Sequence, residues 1–165
     1  MRGMLNRRDF ARVVSLAAAA TAALPQSAAT LPSTPIKPKR LSPGDTLGLV
    51  LPATAAFEAD EISFARDQLE ALGFKVKLGQ HVNDRWGYFA GHDRDRADDI
   101  NRMFADDSVA GVVCYTGGWG SPRVLPYLDY DLIGRHPKVI IGYSDITALL
   151  NAIYKRSRLV TFHGP

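Results

Sequence analysis

The chain has 165 residues, of which 46% are hydrophobic, so it is long enough for one globular domain with its own core and too short for a second complete one. It carries 20 basic and 17 acidic side chains. Residues 1–29 hold four of these basic residues, all arginine, and one aspartate, so the other 16 basic and 16 acidic side chains leave the rest of the chain neutral. The net charge therefore gives no support for a nucleic-acid partner.

Residues 1–29 have the layout of an export signal peptide. The arginines precede an apolar, alanine-rich run from Val13 to Leu24, and Ser27-Ala28-Ala29 supplies small residues suited to signal peptidase cleavage. Asn6-Arg7-Arg8-Asp9-Phe10 resembles the twin-arginine export motif, so we expect a periplasmic protein whose mature form starts near Thr30. The apolar run of 12 residues is shorter than the roughly 20 residues that span a bilayer. The alternative is a retained leader that anchors the protein to the membrane.

The segment 30–40 contains three prolines and three basic residues, and it is predicted to be an extended linker. Folded structure is expected over residues 41–165, starting with a turn at Pro43-Gly44. Thr46–Leu51 is predicted to form a short apolar strand that ends before Pro52.

A helix and a second strand are predicted to complete a βαβ unit. Apolar residues at helical spacing mark the helix, and Gly73 follows them as a C-terminal stop. These residues are Ile62, Ala65, Leu69 and Leu72. Phe74–Leu78 then alternates apolar and basic side chains, as a half-exposed strand does.

The segment 79–91 is predicted to be a long loop, because glycine and asparagine interrupt it. Its aromatic side chains are Trp86, Tyr88 and Phe89. Two interpretations stay open: these aromatics line a binding cleft, or they pack the loop onto the domain.

An amphipathic helix is predicted over residues 93–106. Its apolar face comprises Ala97, Ile100 and Phe104. Its charged residues are expected to be solvated and to need no catalytic explanation; they are Asp95, Arg96, Asp98, Asp99 and Arg102.

A buried strand is predicted from Gly111 to Tyr115. It contains Cys114, the only cysteine of the chain, so no intramolecular disulfide can form. Cys114 is expected to be a small buried side chain and not a nucleophile, because no neighbouring residue clearly lowers its pKa.

A glycine-rich turn, Thr116–Pro122, follows this strand directly. Because glycine lets the backbone approach a ligand closely, an N–H group of this turn can donate to an oxyanion. The turn lacks the signature G-x-x-x-x-G-K-[ST], so it is not predicted to be a phosphate-binding loop.

The sequence predicts that the segment 138–150 carries the chemically active site. A β-branched run, Val139–Ile141, suits a buried strand, and the residues after it have the spacing of one helical face: Ile146, Leu149, Leu150 and Ile153. Ser144 therefore lies at the strand's C-terminal end and the helix's N-terminus, an edge where open α/β sheets bind ligands. It is either a nucleophile beside helix N–H groups or simply the N-cap residue. Gly142–Ile146 resembles a nucleophile elbow but lacks the second glycine of G-x-S-x-G.

Alternating elements predict the fold class. Tyr130–Ile133 leads through Arg135-His136-Pro137 to the strand before Ser144, and Arg158–Pro165 is predicted to begin another strand. The pattern predicts an α/β fold with an open, mostly parallel, doubly wound sheet and flanking helices. The glycine-rich turn and Ser144 are expected to share one edge of that sheet.

Four segments of the chain share one resemblance. They are Tyr115–Ser121, Arg123–Pro126, Ile141–Thr147 and Phe162–Pro165. Together they resemble the LD-carboxypeptidases, a family of serine peptidases that includes muramoyltetrapeptide carboxypeptidases and microcin-immunity peptidases. Leu41–Asp45 fits the start of the family, so the resemblance covers roughly residues 40–165. It implies the N-terminal, nucleophile-bearing domain of a two-domain enzyme.

The resemblance implies a reaction and the residues that perform it. In this family a serine attacks the peptide bond next to a D-amino acid, typically the link to the terminal D-alanine of the murein stem peptide. Ser144 would be the nucleophile, and the backbone N–H groups of Asp145 and Gly118 would form the oxyanion hole. The implied partner is a murein peptide, with neither a metal ion nor a cofactor.

The resemblance also implies that the general base comes from elsewhere. In the family it is a histidine oriented by a glutamate, both in a C-terminal domain that would follow Pro165. This chain alone is therefore expected to be a poor catalyst, with uncovered apolar surface and a tendency to self-associate as a homodimer. The chain's own histidines are His81, His92, His136 and His163.

Among these four histidines, His163 is the candidate for a general base within the chain itself, because chain order places it at the end of a neighbouring strand. Asp145 adjoins Ser144 too closely to orient a histidine behind it, so a triad within the chain is not expected. The alternative function is a non-catalytic periplasmic module that binds a peptide or a sugar.

Overall fold

The computed structural model describes residues 34–58 and 60–165, in which parallel strands alternate with helices. The strands are β1 (Thr46–Val50), β2 (Lys75–Leu78), β3 (Val109–Cys114), β4 (Val139–Gly142) and β5 (Phe162–His163). The helices are α1 (Glu61–Ala71), α2 (Asp93–Ala105), α3 (Tyr130–Arg135) and α4 (Ile146–Ser157), with 3₁₀ turns at Ser121–Arg123 and Leu125–Tyr127. The predicted export signal, residues 1–29, lies outside the described residues. Within those residues, no helix has the length and apolar character needed to cross a bilayer.

The sheet confirms the predicted parallel α/β architecture. All neighbouring strands run parallel, in the order β2-β1-β3-β4-β5. From β1 the chain moves outward to β2 and then returns to β3 on the other side of β1, so the strand order reverses between β1 and β3. In open sheets of this type, ligands bind beyond the carboxyl ends of the strands, where the order reverses. The functional edge is therefore expected after Val50 and Cys114.

Apolar side chains pack on both faces of the sheet, since successive residues of a strand point in opposite directions. Val50 belongs to a core cluster that it shares with residues of α2, α3 and α4. Its neighbour Leu49 belongs to a second cluster, with Ile62 and Ala65 of α1. Helices thus cover both faces, as the doubly wound prediction requires. Each large side chain buried here contributes about 1.5–3 kcal/mol, which holds the strand ends in place.

Helix α4 confirms the face predicted from spacing. Its core residues Ile146, Leu149, Leu150 and Ile153 are all buried. Helix α1 differs at its end: Leu72 was predicted to be part of the apolar face but is 67% exposed, because the helix stops at Ala71. Gly73 follows with φ +89°, which confirms it as the C-terminal stop.

Two charged residues of α2 are buried, so the expectation that its charges are solvated is wrong for them. Arg96 is 1% exposed and Asp99 is 3% exposed. Asp99 accepts hydrogen bonds from the N–H groups of Gln80 and His81 at 2.8 and 2.9 Å, and burial raises the pKa of its carboxyl group. Helical spacing identifies an apolar face, but it does not show which loops will pack over the polar one.

Helix α3 was missed in the sequence, because six residues are too few to show a helical period. Its start carries a recognisable signal: the Asp129 side chain caps the helix by accepting the N–H of Leu132 at 2.8 Å. Pro137 follows its end and leads into β4. The short helix packs against α4 and α2, and so belongs to the larger core layer.

The segment read as a linker contributes to the edge of the described structure. Ile36 forms a parallel bridge with Leu159. Its N–H donates to the carbonyl of Arg158, and its carbonyl accepts from the N–H of Val160, both at 2.8 Å. This short piece of chain therefore runs beside the segment that leads into β5.

The described structure exposes apolar surface over β4 and β5 and on the α1 side, among other places. A groove of about 540 Å³ opens over β4 and β5, lined by the side chains of Val139, Ile141, Val160 and Phe162 and by residues 37–41. On the α1 side, Phe57, Phe64 and Leu72 are largely exposed. That a further domain covers this surface stays a prediction.

Cys114 confirms its predicted character as a small buried side chain. It lies at the end of β3 and packs in the larger core cluster. Burial raises the pKa of its thiol to about 12, which disfavours the thiolate form at neutral pH. Cys114 is therefore not a candidate nucleophile.

Candidate active site

Three strand ends meet at the carboxyl edge of the sheet, and each carries one part of the candidate site. Thr54 follows β1, the glycine-rich turn follows β3, and Ser144 follows β4. Strand β3 pairs with both β1 and β4, so the three segments are neighbours. The predicted proximity of the turn and the serine is confirmed, because a Cβ at Gly117 would lie 2.8 Å from the Cβ of Ser144.

Ser144 lies on a strained turn. Its φ is +56°, a left-handed conformation that residues with a Cβ rarely adopt. Strand β4 ends at Gly142 and helix α4 begins at Ile146, so the direction of the chain changes within three residues. A serine at positive φ on a sharp strand-to-helix turn presents its hydroxyl outward, as in a nucleophile elbow. The side chain of Ser144 is exposed accordingly.

Within the described residues the Ser144 hydroxyl makes no capping hydrogen bond to α4, so the structure does not show the serine as a side-chain cap. The N-cap position belongs to Asp145, whose side chain makes no capping hydrogen bond. The Ser144 carbonyl accepts from the N–H of Thr147 at 3.0 Å. In the part of the chain that the structure describes, no group is hydrogen-bonded to the Ser144 hydroxyl, which is open to solvent.

Packing explains why the second glycine of the elbow motif is absent. Ile146 occupies that position and is buried in the core. Its Cγ2 would lie only 2.6 Å from a Cβ placed on Gly142, so the first glycine of the motif is required by the close approach of α4 to β4. The second position instead serves an apolar contact.

The two predicted oxyanion donors lie on the two turns that meet at Ser144. Gly118 is exposed, with φ +81°, and Asp145 precedes the first turn of α4. Over residues 34–58 and 60–165, neither backbone N–H donates a hydrogen bond to another protein group. An unpaired N–H on an exposed turn beside a nucleophile can stabilise negative charge that develops on a carbonyl oxygen. The geometry is compatible with both roles, which stay predictions.

The Asp145 carboxylate holds the glycine-rich turn in place. Its Oδ2 accepts the N–H of Ser121 at 2.7 Å, and its backbone carbonyl accepts the Ser121 hydroxyl at 2.5 Å. Ser121 is fully buried under these contacts. Because the carboxylate is directed at the turn, it is not placed to orient a histidine behind Ser144.

The structure places the four histidines in separate settings. His81 pairs with Asp84 at 2.7 Å, and this hydrogen bond raises the pKa of the imidazole. His92 packs on the ring of Trp86, and His136 faces Asp107 at 3.5 Å. His163 pairs with Gly142 across β4 and β5 and is exposed, which puts it at the same sheet edge as Ser144. It makes no hydrogen bond to the Ser144 hydroxyl within the described residues.

Buried Arg96 connects three segments around the glycine-rich turn. Its guanidinium donates to the carbonyl of Pro52 after β1 and to the carbonyl of Gly120 in the turn, the latter at 3.2 Å. It also pairs with Asp93 at the start of α2. Asp93 is shared with Arg123, which lies 2.9 Å away, and the Arg123 contact is the main cause that lowers the pKa of the Asp93 carboxyl.

An aromatic cluster flanks the glycine-rich turn. The Phe89 ring stacks between Trp86 and Trp119, with centroid distances of 5.9 Å to each. The guanidinium of Arg123 lies 5.1 Å from the Phe89 centroid. Trp119 is 63% exposed, so the cluster packs the 79–91 loop against the turn and also presents aromatic surface beside it. Both interpretations of the aromatic loop are therefore compatible with the structure.

One cluster of side chains away from Ser144 has atoms suited to a metal ion. One ligand atom each of His81, Asp84 and Asp95 lies within 4.8 Å of the others. The imidazole of His81 is already hydrogen-bonded to Asp84. This internal pairing accounts for the proximity of the groups without an ion.

Sequence reasoning missed two residues that shape the site, Thr54 and Arg96. Thr54 had a usable signal, because a polar residue soon after an apolar strand lies at the ligand-binding edge of a parallel sheet. Arg96 had none, since its partners are backbone carbonyls of loops distant in sequence.

A parallel doubly wound sheet with an exposed serine on a strained strand-to-helix turn, beside a glycine-rich turn, is compatible with a serine nucleophile at this edge of the sheet. The chain belongs to the LD-carboxypeptidase family: residues 47–164 match the family described as LD-carboxypeptidase N-terminal domain. This confirms the resemblance drawn from the four sequence segments.

Individual relatives agree with this assignment. The chain is 46% identical over 129 residues to the "Probable murein peptide carboxypeptidase" of Bacillus subtilis, covering 78% of the chain and 40% of the relative. It is 36% identical over 120 residues to the "Murein tetrapeptide carboxypeptidase" of Pseudomonas aeruginosa, covering 72% and 38%. The crystal structure of an MccF-like protein from Bacillus anthracis superposes with a TM-score of 0.75 at 36% identity, covering 79% and 40%. The chain thus spans about 40% of the length of the curated relatives it matches.

Proposed function

We propose that this chain is the nucleophile-bearing part of a serine LD-carboxypeptidase that removes the terminal D-alanine from murein tetrapeptides. The observation that carries the proposal is Ser144, held at φ +56° next to the glycine-rich turn. The relatives named as murein peptide and murein tetrapeptide carboxypeptidases support the substrate class.

In the proposed reaction, the Ser144 hydroxyl oxygen attacks the carbonyl carbon of the peptide bond that precedes D-alanine. The new O–C bond forms as negative charge moves onto the carbonyl oxygen, where the N–H groups of Gly118 and Asp145 donate to it. The C–N bond then breaks and D-alanine leaves with a proton on its nitrogen. Water hydrolyses the resulting ester, which restores the Ser144 hydroxyl and releases the shortened peptide.

The proton of the Ser144 hydroxyl needs an acceptor. Within the described residues no base is hydrogen-bonded to this hydroxyl, and the relatives are about two and a half times as long as the matched part of this chain. We infer that the acceptor belongs to the part of such proteins that the chain does not span. A general base contributes about 10² to 10⁴-fold to the rate, so the chain alone is expected to be a slow catalyst.

The rival function is a non-catalytic module that binds a peptide or a sugar. The exposed aromatic surface around Trp119 is the observation that favours it. Strain at a single residue costs about 1–3 kcal/mol and persists at active sites and at ligand clamps alike, so the strain at Ser144 is compatible with either function. Binding that survives without any turnover would favour the module.

The test compares this chain, from Thr30, with an extended protein in which the chain continues after Pro165 into the remainder of the Bacillus subtilis relative. D-alanine released from a murein tetrapeptide is measured by chromatography. We expect the extended protein to exceed the chain alone by about 10² to 10⁴-fold. Equal rates in the two proteins would refute the inference that the chain lacks the proton acceptor. No D-alanine release by either protein would refute the proposed carboxypeptidase activity.

We also propose that the protein acts in the periplasm after export by the twin-arginine route. The paired Arg7-Arg8 before the apolar run motivates this proposal. Replacing both arginines with lysine is expected to retain the precursor in the cytoplasm, as measured by fractionation and immunoblotting. Unchanged periplasmic recovery would point to a different export route.

A further inference from the structure

Thr54 contacts the glycine-rich turn at the two residues that flank Gly118, which are Gly117 and Trp119. Its backbone N–H donates to the carbonyl of Gly117 at 3.4 Å, and its hydroxyl oxygen accepts the N–H of Trp119 at 3.0 Å. Thr54 itself is buried. The residue therefore binds the backbone group just before Gly118 and the one just after it.

These two contacts determine how the Gly118 peptide is oriented. With the Gly117 carbonyl and the Trp119 N–H both bound to Thr54, the remaining N–H, that of Gly118, has no acceptor within the described residues. Gly118 has φ +81°, and a Cβ there would overlap the Thr54 hydroxyl. The absence of a side chain at Gly118 is thus what lets Thr54 approach the turn closely.

The segment that carries Thr54 is itself held in place. Ala55 donates its N–H to the carbonyl of Tyr88, and the carbonyl of Ala53 accepts from the N–H of Ala90, both at 3.1 Å. Thr54 therefore lies between two backbone hydrogen bonds to the aromatic loop. Because the backbone is held on both sides of Thr54, the positions of the turn groups that Thr54 binds are also fixed.

We propose that Thr54 is a positioning residue, which aims the N–H of Gly118 at the carbonyl oxygen of the substrate. This inference rests on the proposed function, because it gives Thr54 a role only if Gly118 acts as an oxyanion donor. Thr54 touches no reacting atom in this scheme. Its hydroxyl acts through the Trp119 N–H, and its backbone acts through the Gly117 carbonyl.

Thr54→Val is the informative change, because valine keeps the shape of threonine but cannot accept the N–H of Trp119. Thr54→Ala removes the same acceptor without placing a methyl group against Trp119, and it serves if the valine variant does not fold. Thr54→Ser keeps the hydroxyl and should restore most of the lost rate. Thr161→Val is the matched control, since the Thr161 hydroxyl bonds the carbonyl of Leu150 away from the site.

The first readout is the rate at which diisopropyl fluorophosphate modifies Ser144 in the extended protein, followed by mass spectrometry. The serine oxygen bonds to phosphorus, fluoride leaves, and the hydroxyl proton leaves with it, while the phosphoryl oxygen needs the same donors as a substrate carbonyl. We expect Thr54→Val and Thr54→Ala to slow this reaction by about 10 to 10²-fold. Thr54→Ser and Thr161→Val should stay within about 3-fold of the parent protein.

The second readout is amide hydrogen exchange of Trp119 in the full 165-residue chain, which tests the contact without any catalysis. The Thr54→Val and Thr54→Ala variants should exchange this amide at least about 10-fold faster, because the bond that protects it is gone. The kinetics of D-alanine release supply the third readout. A lower kcat with an unchanged KM is expected when a transition-state donor is misplaced.

The outcomes separate this inference from the proposed function. Unchanged Trp119 exchange in the valine and alanine variants, or accelerated exchange with an unchanged rate of Ser144 modification, would overturn the role of Thr54. If the Thr54 variants slow the modification of Ser144 as expected but no protein releases D-alanine, the proposed carboxypeptidase activity is refuted. The positioning role of Thr54 is then still supported. A parent protein whose Ser144 is not modified at all would refute both.

Discussion

Replacing Ser144 with alanine is expected to lower D-alanine release by the extended protein by about 10⁴ to 10⁶-fold. The hydroxyl oxygen forms the covalent bond in the proposed reaction, and serine hydrolases that lose this group retain only the contribution of the oxyanion donors and binding. Ser108→Ala is the control, because Ser108 lies before β3 at the opposite edge of the sheet and bonds Asp106. Release that survives Ser144→Ala would remove Ser144 as the nucleophile.

A glycine at the same position separates the chemistry of Ser144 from its geometry. Ser144→Gly should be as inactive as Ser144→Ala, yet we expect it to be more stable than the alanine variant. At φ +56° a Cβ costs about 1–2 kcal/mol, and glycine removes this cost while losing some of the gain to the entropy of its unfolded state. The net difference in the free energy of unfolding should be about 1 kcal/mol in favour of glycine, measured with urea.

One result of the comparison between the glycine and alanine variants would contradict this prediction. If the alanine variant equals or exceeds the glycine variant in stability, the turn at residue 144 is not strained in the way the backbone indicates. Because neither variant carries the hydroxyl, the result does not depend on which peptide the enzyme cleaves.

Replacing Arg96 with methionine is expected to lower the free energy of unfolding by about 2–4 kcal/mol. The side chain is 1% exposed, and its removal leaves the carbonyls of Pro52 and Gly120 without their donor and Asp93 with one arginine in place of two. Methionine preserves most of the apolar stem, so the loss reports mainly on the guanidinium. Activity of the extended protein should fall as well, since Arg96 holds the glycine-rich turn.

Arg102 supplies a matched control on the same helix. It also pairs with an aspartate, Asp98 at 2.5 Å, but both side chains are largely exposed to solvent. Exposed i,i+4 pairs on a helix contribute about 0.3–0.5 kcal/mol, so Arg102→Met should change stability by no more than about 0.5 kcal/mol. Equal effects of the two substitutions, measured by urea unfolding followed by circular dichroism, would contradict the bridging role of Arg96.

The strand, the helix and the position of Ser144 between them could be predicted from sequence. A β-branched run is typical of a buried strand, and four apolar residues at helical spacing indicate one buried helix face, which the structure confirms. The backbone conformation of Ser144 could not be predicted, because a serine before a helix normally indicates a cap. The positive φ lies at the junction of β4 and α4, and no local pattern in the sequence specifies it.

Arg96 and Thr54 show a different limit. A charged residue in an amphipathic helix is usually solvated, and burial of Arg96 follows from backbone carbonyls at Pro52 and Gly120 that no local pattern reveals. Thr54 likewise acts on a turn far along the chain. Local spacing predicts elements, whereas hydrogen bonds between distant loops depend on the assembled sheet.

The strand order has a consequence for how the chain folds. Only helix α1 separates β1 from its neighbour β2 along the chain. Its other neighbour, β3, comes later in the sequence, after β2 and α2. A chain that has folded no further than β1, α1 and β2 contains Thr54 but has neither the glycine-rich turn nor Ser144 in place. Contacts between residues distant in sequence form slowly, because loop-closure entropy opposes them. Ser144 and the glycine-rich turn lie on consecutive strands, so the contact that we expect to form last is that between Thr54 and Trp119, which are 65 residues apart in sequence.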